Sequence, residues 1–326
     1  MNIEKGAAII VDDWLQAKAD EVLHFITDEN HVAEAKAFEE AALHRGAITK
    51  ITYLRSEDVQ KGEVLEEIRN IMSYSDAIVG ATDYSFVTTN AVQYALQRGS
   101  RFVSIPMHTN DGRSLFTYSF MGMSPKLAER MARPVLKALN RARTIRVTTE
   151  LGTDITFAKE GRTAALFNGA AAKRRSFGSA SFEVYVPIEE TKTNGRMVLD
   201  GSLGYLGLVS QPVSLDFEAG YLTRIEQNSD GQRLSDYLAG FGDQEMYCAA
   251  EFGIGLNQKS RCRGFSYIED ESAYGTFHVG MGRNLSLGGN HEAKGHFDMV
   301  IHKPDIWADE VKIMSQGEIC DSYNSK

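Results

Sequence analysis

The chain has 326 residues, with 43% hydrophobic and 24% charged residues, within the range of a folded globular protein and long enough to split into two cores. Thirty-five Lys and Arg against 44 Asp and Glu leave a formal charge of −9 with no basic block, which argues against nucleic acid and anionic membranes as partners. No apolar run approaches the roughly 20 residues that span a bilayer, and the three cysteines, Cys248, Cys262 and Cys320, show no CxxC spacing, so a cytoplasmic protein with reduced thiols is expected.

In chain order, Ala7–Val11 reads as a buried strand, and the Asp12-Asp13 pair after it rules out a signal peptide. His31–His44 carries Val32, Ala35, Phe38, Ala41 and Ala42 at helical spacing, with Gly46 past its end. Strand Ile48–Leu54, helix Val64–Met72, strand Asp76–Gly80, helix Asn90–Gln97 stopped by Gly99, and strand Arg101–Ile105 follow. This alternation predicts a parallel sheet covered by helices. Asp83–Asn90, between a strand and a helix, lies where open sheets often bind ligands, but an ordinary turn with Thr89 or Asn90 as N-cap is the plainer account, since such caps are common. Neither GxGxxG nor GxxxxGK[ST] is present, so no phosphate cradle is expected.

Leu127, Met131, Val135 and Leu139 place a further helix, which Pro134 should kink or end early. Beyond it the pattern changes to short strands, such as Thr144–Thr149 and Asp154–Phe157, with many glycines and one helical stretch at Leu234–Leu238. The expected architecture is therefore α/β: an N-terminal Rossmann-like domain with a parallel sheet at 1–142, and a C-terminal β-rich (α+β) domain at 143–326 with the site on its inner strands.

Chemistry concentrates in the second half. Four of eight histidines, His278, His291, His296 and His302, fall close together. In Gly295–Ile301 the alternation predicts a strand, and residues two apart share a face, so His296 and Asp298 converge. His278 sits in a glycine-punctuated strand, where small neighbours leave room for a metal or substrate. Glu251 and Glu183 are lone carboxylates in apolar runs, and a buried unpaired charge calls for a cation. Each residue has a plainer account taken singly: a hydrogen-bonded HxD pair, a satisfied core histidine, glutamates paired with arginines, His291 in a loop, His302 at the surface. Together they point to a metal site. Two histidines with carboxylates suit Zn, Mn, Co or Fe(II), and the surplus of carboxylates suggests two ions sharing a bridge.

These residues also carry a resemblance. Gly152–Phe157, Glu183–Pro187 with Asn194-Gly195, Asp270–His278, Gly288-Gly289 and His296-Phe297-Asp298 resemble the aminopeptidase T and aminopeptidase S metallopeptidases, as does Tyr84–Thr89. The resemblance implies a metallo-aminopeptidase-like hydrolase and homodimer. Its two divalent ions (Zn, Co or Mn) would be held by Glu183, Glu251, His278, His296 and Asp298. Water activated by the metal would cleave an N-terminal amino acid or small amide, with Glu251 or Glu183 shuttling the proton. Leu285 stands where that family carries a tyrosine. The alternative is the related 2,5-dihydroxypyridine dioxygenase branch, with a single Fe(II). That branch has a histidine where this chain has Glu251, so Glu251 and His278 favour hydrolysis here. A binding protein that kept the fold without the chemistry is the third possibility.

Overall fold

The computed structural model describes residues 1–61, 64–87 and 89–320. By contact it divides into two compact units, 1–126 with 167–181, and 127–166 with 182–326. The last six residues, and Thr88 of the Asp83–Asn90 stretch, lie outside the described residues.

The first unit is built on a five-stranded parallel sheet. Its strands are β1 (Val22–Asp28), β2 (Ile48–Leu54), β3 (Ala77–Ala81), β4 (Arg101–Ser104) and a late arrival, β8 (Phe177–Ser179), in the order β2-β1-β3-β4-β8. Helices α1 (Ile3–Ile9), α2 (Val32–His44), α3 (Ser56–Lys61), α4 (Val64–Met72) and α5 (Asn90–Arg98) complete it. Gly99 ends α5 in the left-handed region at φ +112, a conformation glycine adopts without a Cβ penalty. Among the described residues, no helix is long and apolar enough to cross a membrane.

The strand expected at Ala7–Val11 is helical instead. Asn2 caps α1 by accepting the Lys5 N–H, and the chain continues into a π-helical turn at Ile10–Trp14. Among its buried residues, Ala7, Ile10, Val11 and Trp14 recur at a spacing of three, four and seven that lines one side of a helix. The first strand is instead Val22–Asp28.

Helix α6 (Pro125–Leu139) runs through Pro134 without ending there. Proline removes one backbone donor, but Ala132, Val135, Ala138 and Leu139 bury their side chains in the core of the second unit, and that packing holds the helix. The helix therefore packs with the second unit, although the boundary expected after residue 142 would assign it to the first.

The second unit is β-rich. An eight-stranded antiparallel sheet contains β5 (Thr144–Thr148), β6 (Asp154–Ala158), β10 (Asn194–Leu199), β11 (Val213–Glu218), β12 (Tyr221–Ile225), β16 (Asp305–Ala308), β17 (Val311–Ser315) and β18 (Glu318–Ile319). A five-stranded sheet contains β7 (Ala165–Asn168), β9 (Phe182–Pro187), β13 (Ala249–Gly255), β14 (Thr276–Gly282) and β15 (His296–His302), in the order β15-β14-β13-β9-β7. Two further helices are α7 (Ser229–Gly240) and the short α8 (Tyr267–Ser272).

One apolar cluster joins the two sheets. Ile145, Phe157, Met197 and Leu215 come from the larger, and Val184, Val186, Phe252, Ile254, Phe277, Val279, Met299 and Ile301 from the smaller. Because side chains alternate along a strand, this fixes the other face of the smaller sheet as the one carrying residues 183, 185, 251, 253, 255, 278, 280, 296 and 298. Phe252 lies at the centre of the apolar face, with ring centroids 5.6 Å from Phe157 and 6.1 Å from Phe277. Phe252→Ala is expected to cost about 3–5 kcal/mol in denaturant unfolding; a loss below about 1 kcal/mol would show that the two sheets do not share this core.

Candidate metal centre

The register of the smaller sheet brings the five side chains picked from the sequence onto one face. Glu251 on β13 stands opposite Gly280 on β14, and Gly280 stands opposite Asp298 on β15. One step along, Tyr185 on β9, Gly253 and His278 form the next row. Gly255 faces Glu183, and Gly282 faces His296. Glu183, Glu251 and His278 thus lie on inner strands, and His296 and Asp298 on the edge strand β15.

Two glycines make room for the rings. A Cβ at Gly253 would lie 2.0 Å from His278 Nε2, and one at Gly280 would lie 2.6 Å from His296 Cε1. Both are closer than real contacts permit, so the imidazoles occupy space that any side chain on the neighbouring strand would take. The glycine-rich spacing of β13 and β14 is a requirement of the site rather than of the strands, which glycine weakens.

The side chains form two overlapping groups. Ligand atoms of Glu251, His296 and Asp298 lie within 4.8 Å of one another, as do those of Glu183, Glu251 and His278, so Glu251 belongs to both. Glu183 Oε2 is 2.7 Å from His278 Nε2. His296 Nε2 is 3.0 Å from Glu251 Oε2 and 3.2 Å from Asp298 Oδ1. Glu251 and Glu183 therefore pair with histidines, not with the arginines that would have given them a structural role. His296 Nδ1 lies 2.8 Å from the Arg283 carbonyl; with the proton on Nδ1 donating to it, the Nε2 lone pair turns towards the carboxylates.

A fourth carboxyl lies beside these. Glu271, on α8, is buried and hydrogen-bonded to Asp298. Its neighbours are used elsewhere: Glu269 pairs with Arg263 at 2.7 Å, and Asp270 accepts the Arg263 and Gly264 N–H groups. Glu271 falls inside the Asp270–His278 run that carries the resemblance, with no role expected for it from sequence. A run of three acids reads as a solvated helix face, and the available signal was its place between the apolar Tyr267-Ile268 and the strand carrying His278.

The electrostatics follow from crowding anions out of water. Burial pushes the Glu251 carboxyl up to about 7, with His296 pulling it back. Burial, then Asp298, Glu183 and Glu251, push Glu271 well above the usual carboxylate range. For His278, burial works against a charge, yet Glu183 and the other carboxylates carry it up to about 9. His296 is likewise raised well above its usual value, again against burial, mainly by Asp298 and Glu251. Among the described residues, no lysine or arginine forms an ion pair with any of the four carboxyls. Glu183 Oε2 and Asp298 Oδ1 are buried without accepting a directed hydrogen bond, although an imidazole nitrogen lies close to each. Orphaned carboxylate oxygens converging with imidazole nitrogens fit a divalent transition metal, and the donor set is the nitrogen–oxygen mixture such ions take.

His291 and His302 stay outside this cluster. His291 sits in a loop with Nε2 2.9 Å from the Glu245 carbonyl, and His302 ends β15. In the first unit, Asp28, His31 and Asp83 also come together. Their oxygens are already engaged: Asp28 accepts the Asn30 and Asp83 N–H groups, and Asp83 takes His31 at 2.8 Å, Asn30 at 2.8 Å and Ser56 at 2.9 Å. That group braces the ends of β1 and β3. Thr89 is the N-cap of α5, without a side-chain capping bond.

Gly253→Ala is expected to destabilise the protein by about 1–3 kcal/mol through overpacking against His278. Gly240→Ala, where a Cβ meets nothing within 4 Å, should instead stabilise it by up to about 1 kcal/mol. Equal unfolding midpoints for the two variants would contradict the packing described for the imidazole.

The chain is similar to known proteins along most of its length. A family model described as NicX, 2,5-dihydroxypyridine 5,6-dioxygenase, matches residues 16–321. The curated 2,5-dihydroxypyridine 5,6-dioxygenase of Pseudomonas putida is 24% identical over 141 residues, an alignment spanning 40% of this chain and 40% of that protein. Among solved structures, the 2,5-dihydroxypyridine dioxygenase of Pseudomonas putida KT2440 superposes with a TM-score of 0.81 at 17% identity, covering 100% of both chains. Wild-type AmpT from Thermus thermophilus superposes with a TM-score of 0.69 at 16% identity, covering 97% of this chain and 98% of that one. At these identities the structural likenesses speak for the fold.

Proposed function

The chain belongs to the 2,5-dihydroxypyridine 5,6-dioxygenase family, and from that membership together with the buried carboxylate–imidazole cluster we propose that it is a metal-dependent dioxygenase opening a dihydroxylated, nitrogen-containing aromatic ring. This reverses the order reached from sequence, where Glu251 and His278 put hydrolysis first. A family model running over most of the chain outweighs those two positions.

The observation that carries the proposal is the Glu251–His296–Asp298 group, whose three ligand atoms lie within 4.8 Å of one another. One nitrogen and two carboxylate oxygens from β13 and β15, the strands on either side of β14, would hold one ion from the sheet side and leave its other positions for small ligands. When bound, Fe(II) supplies redox chemistry that side chains lack and a point where dioxygen and the ring can meet. The protein's own groups do the rest. Glu183 and His278, 2.7 Å apart, form a proton-holding pair beside the ligands. Glu271, hydrogen-bonded to Asp298 and pushed upward by burial, favours its neutral form and so would limit the negative charge there. Apolar packing beneath the sheet excludes water from behind the site. The substrate is a small molecule.

A second reading has its own observation. Glu183, Glu251 and His278 form a further three-ligand group sharing Glu251, and a shared carboxylate is how two ions about 3.5–4 Å apart are bridged in hydrolytic centres. Zn, Co or Mn would then replace Fe(II), with an N-terminal amino acid or small amide as substrate.

Metal content and oxygen consumption separate the readings. Protein loaded anaerobically with Fe(II) is expected to hold one ion per chain and to consume one dioxygen per 2,5-dihydroxypyridine lost, with Asp298→Asn slower by on the order of 100-fold. Two ions per chain, no oxygen uptake, and Co(II)-dependent release of nitroaniline from an aminoacyl-nitroanilide would establish the hydrolytic reading instead. Removing the metal with a chelator abolishes turnover under either reading; full activity in metal-free protein would sink both.

A further inference from the structure

The loop joining β14 to β15 carries a buried asparagine engaged on every side. Asn284 is 0% exposed. Its Nδ2 donates to the Ala250 carbonyl at 2.9 Å and to Glu190 Oε1 at 3.0 Å. Its Oδ1 accepts the His291 N–H at 2.9 Å, and its own N–H donates to the His291 carbonyl at 3.1 Å. Glu190 is in turn clamped by Arg162, whose Nη2 lies 2.8 Å from Oε2 and whose Nη1 donates to the Gly288 carbonyl at 3.0 Å. Gly289 leaves the room required, since a Cβ there would lie 2.0 Å from Asn284 Oδ1.

Both ends of this network touch backbone that aims a proposed ligand. Ala250 is the bulged residue of β13, where the register with β14 shifts between Ala249 and Glu251. A bulge turns the side chain that follows it, so the Ala250 carbonyl anchors the backbone from which Glu251 projects. At the other end, Arg283 directly precedes Asn284, and its carbonyl lies 2.8 Å from His296 Nδ1. A displaced Asn284 would carry that acceptor with it and release the ring from its tautomer.

We propose that Asn284 is a positioning residue of the metal centre, holding the Ala250 bulge and the Arg283 carbonyl in register so that Glu251 and His296 converge on one ion. The proposal rests on the metal reading above but not on the choice between its two chemistries. Asn284→Asp replaces the amide donors with an oxygen facing the Ala250 carbonyl and the Glu190 carboxylate. Asn284→Ala removes the Asn284 donor from both acceptors, leaving the Ala250 carbonyl with the Ile188 N–H and Glu190 Oε1 with Arg162 and the Asn290 N–H.

The test is Co(II) titration of metal-free protein, reading affinity and the visible absorption spectrum. Wild type, Asn284→Asp, Asn284→Ala, the milder Glu190→Gln, and Asp309→Ala as a control are compared. Asp309 accepts the Arg143 and Thr144 N–H groups, and none of its bonds involves the cluster. Both Asn284 variants are expected to bind Co(II) about 10–100-fold more weakly with an altered spectrum. Glu190→Gln should move in the same direction by less, and Asp309→Ala should bind as wild type does. If both Asn284 variants fail to fold, Glu190→Gln carries the comparison alone. Wild-type affinity and spectrum in the folded Asn284 and Glu190 variants would overturn the proposal, as would an equal loss in Asp309→Ala, which would mark the effect as general destabilisation. Failure of the wild type to bind Co(II), Fe(II) or Zn(II) would instead overturn the metal reading beneath it.

Discussion

Four carboxyl groups, Glu183, Glu251, Glu271 and Asp298, lie buried against two imidazoles on one face of a sheet, and much of the second unit can be understood from that crowding. Anions removed from water repel one another with little screening, and leaving them uncompensated costs several kcal/mol each. The chain answers in three ways. Burial favours the protonated carboxyl, pushing Glu251 and Glu271 upward. Imidazoles are pressed close, with His278 and His296 raised against the effect of their own burial. Two carboxylate oxygens still lack a directed donor, and a divalent cation is what this arrangement is shaped to take.

Concentrating charge on one face demands something on the other. Phe252, Ile254, Phe277, Val279 and Met299 come from the strands that carry the site, and they pack against the larger sheet. The strands are thus held by apolar burial while their opposite face is given over to polar groups that cannot stabilise the fold by themselves. Glycines at 253 and 280 weaken the strands locally but admit the rings. Stability and chemistry are divided between the two faces by the two-residue period of a strand. A single-residue slip in register would bury the ligands in the core and expose the core to solvent.

That same period explains what could be read in advance. His296 and Asp298 are two apart in an alternating run, so their convergence needed no tertiary information. Glu251 and Glu183 stood out as charges in apolar surroundings, where a folded chain requires a partner. Which residues would be those partners depends on strand order and register, and neither is encoded locally. Glu271 escaped notice because only the folded chain shows Glu269 and Asp270 turned to Arg263 and the glycine turn, leaving Glu271 to face Asp298. Asn284 was invisible for a similar reason, since its bonds reach 34 residues back to Ala250 and 94 back to Glu190. In the first unit the helix–strand alternation was legible from Val32 onward. Ala7–Val11 was misread because a five-residue apolar run looks alike in a strand and a buried helix, and Trp14, completing the helical stripe, lay outside it. The three-residue strand Phe177–Ser179, too short for a pattern, gave no hint that the chain returns to the parallel sheet.

The central claim is that one ion is held by Glu251, His296 and Asp298, and anomalous diffraction from crystals grown with Fe(II) under nitrogen tests it most directly. The account predicts a peak at about 2.0–2.2 Å from His296 Nε2 and from an oxygen of Asp298, with Glu251 completing the set and the His278–Glu183 pair left to itself. A peak lodged elsewhere, or none beside intact and ordered side chains, would contradict it.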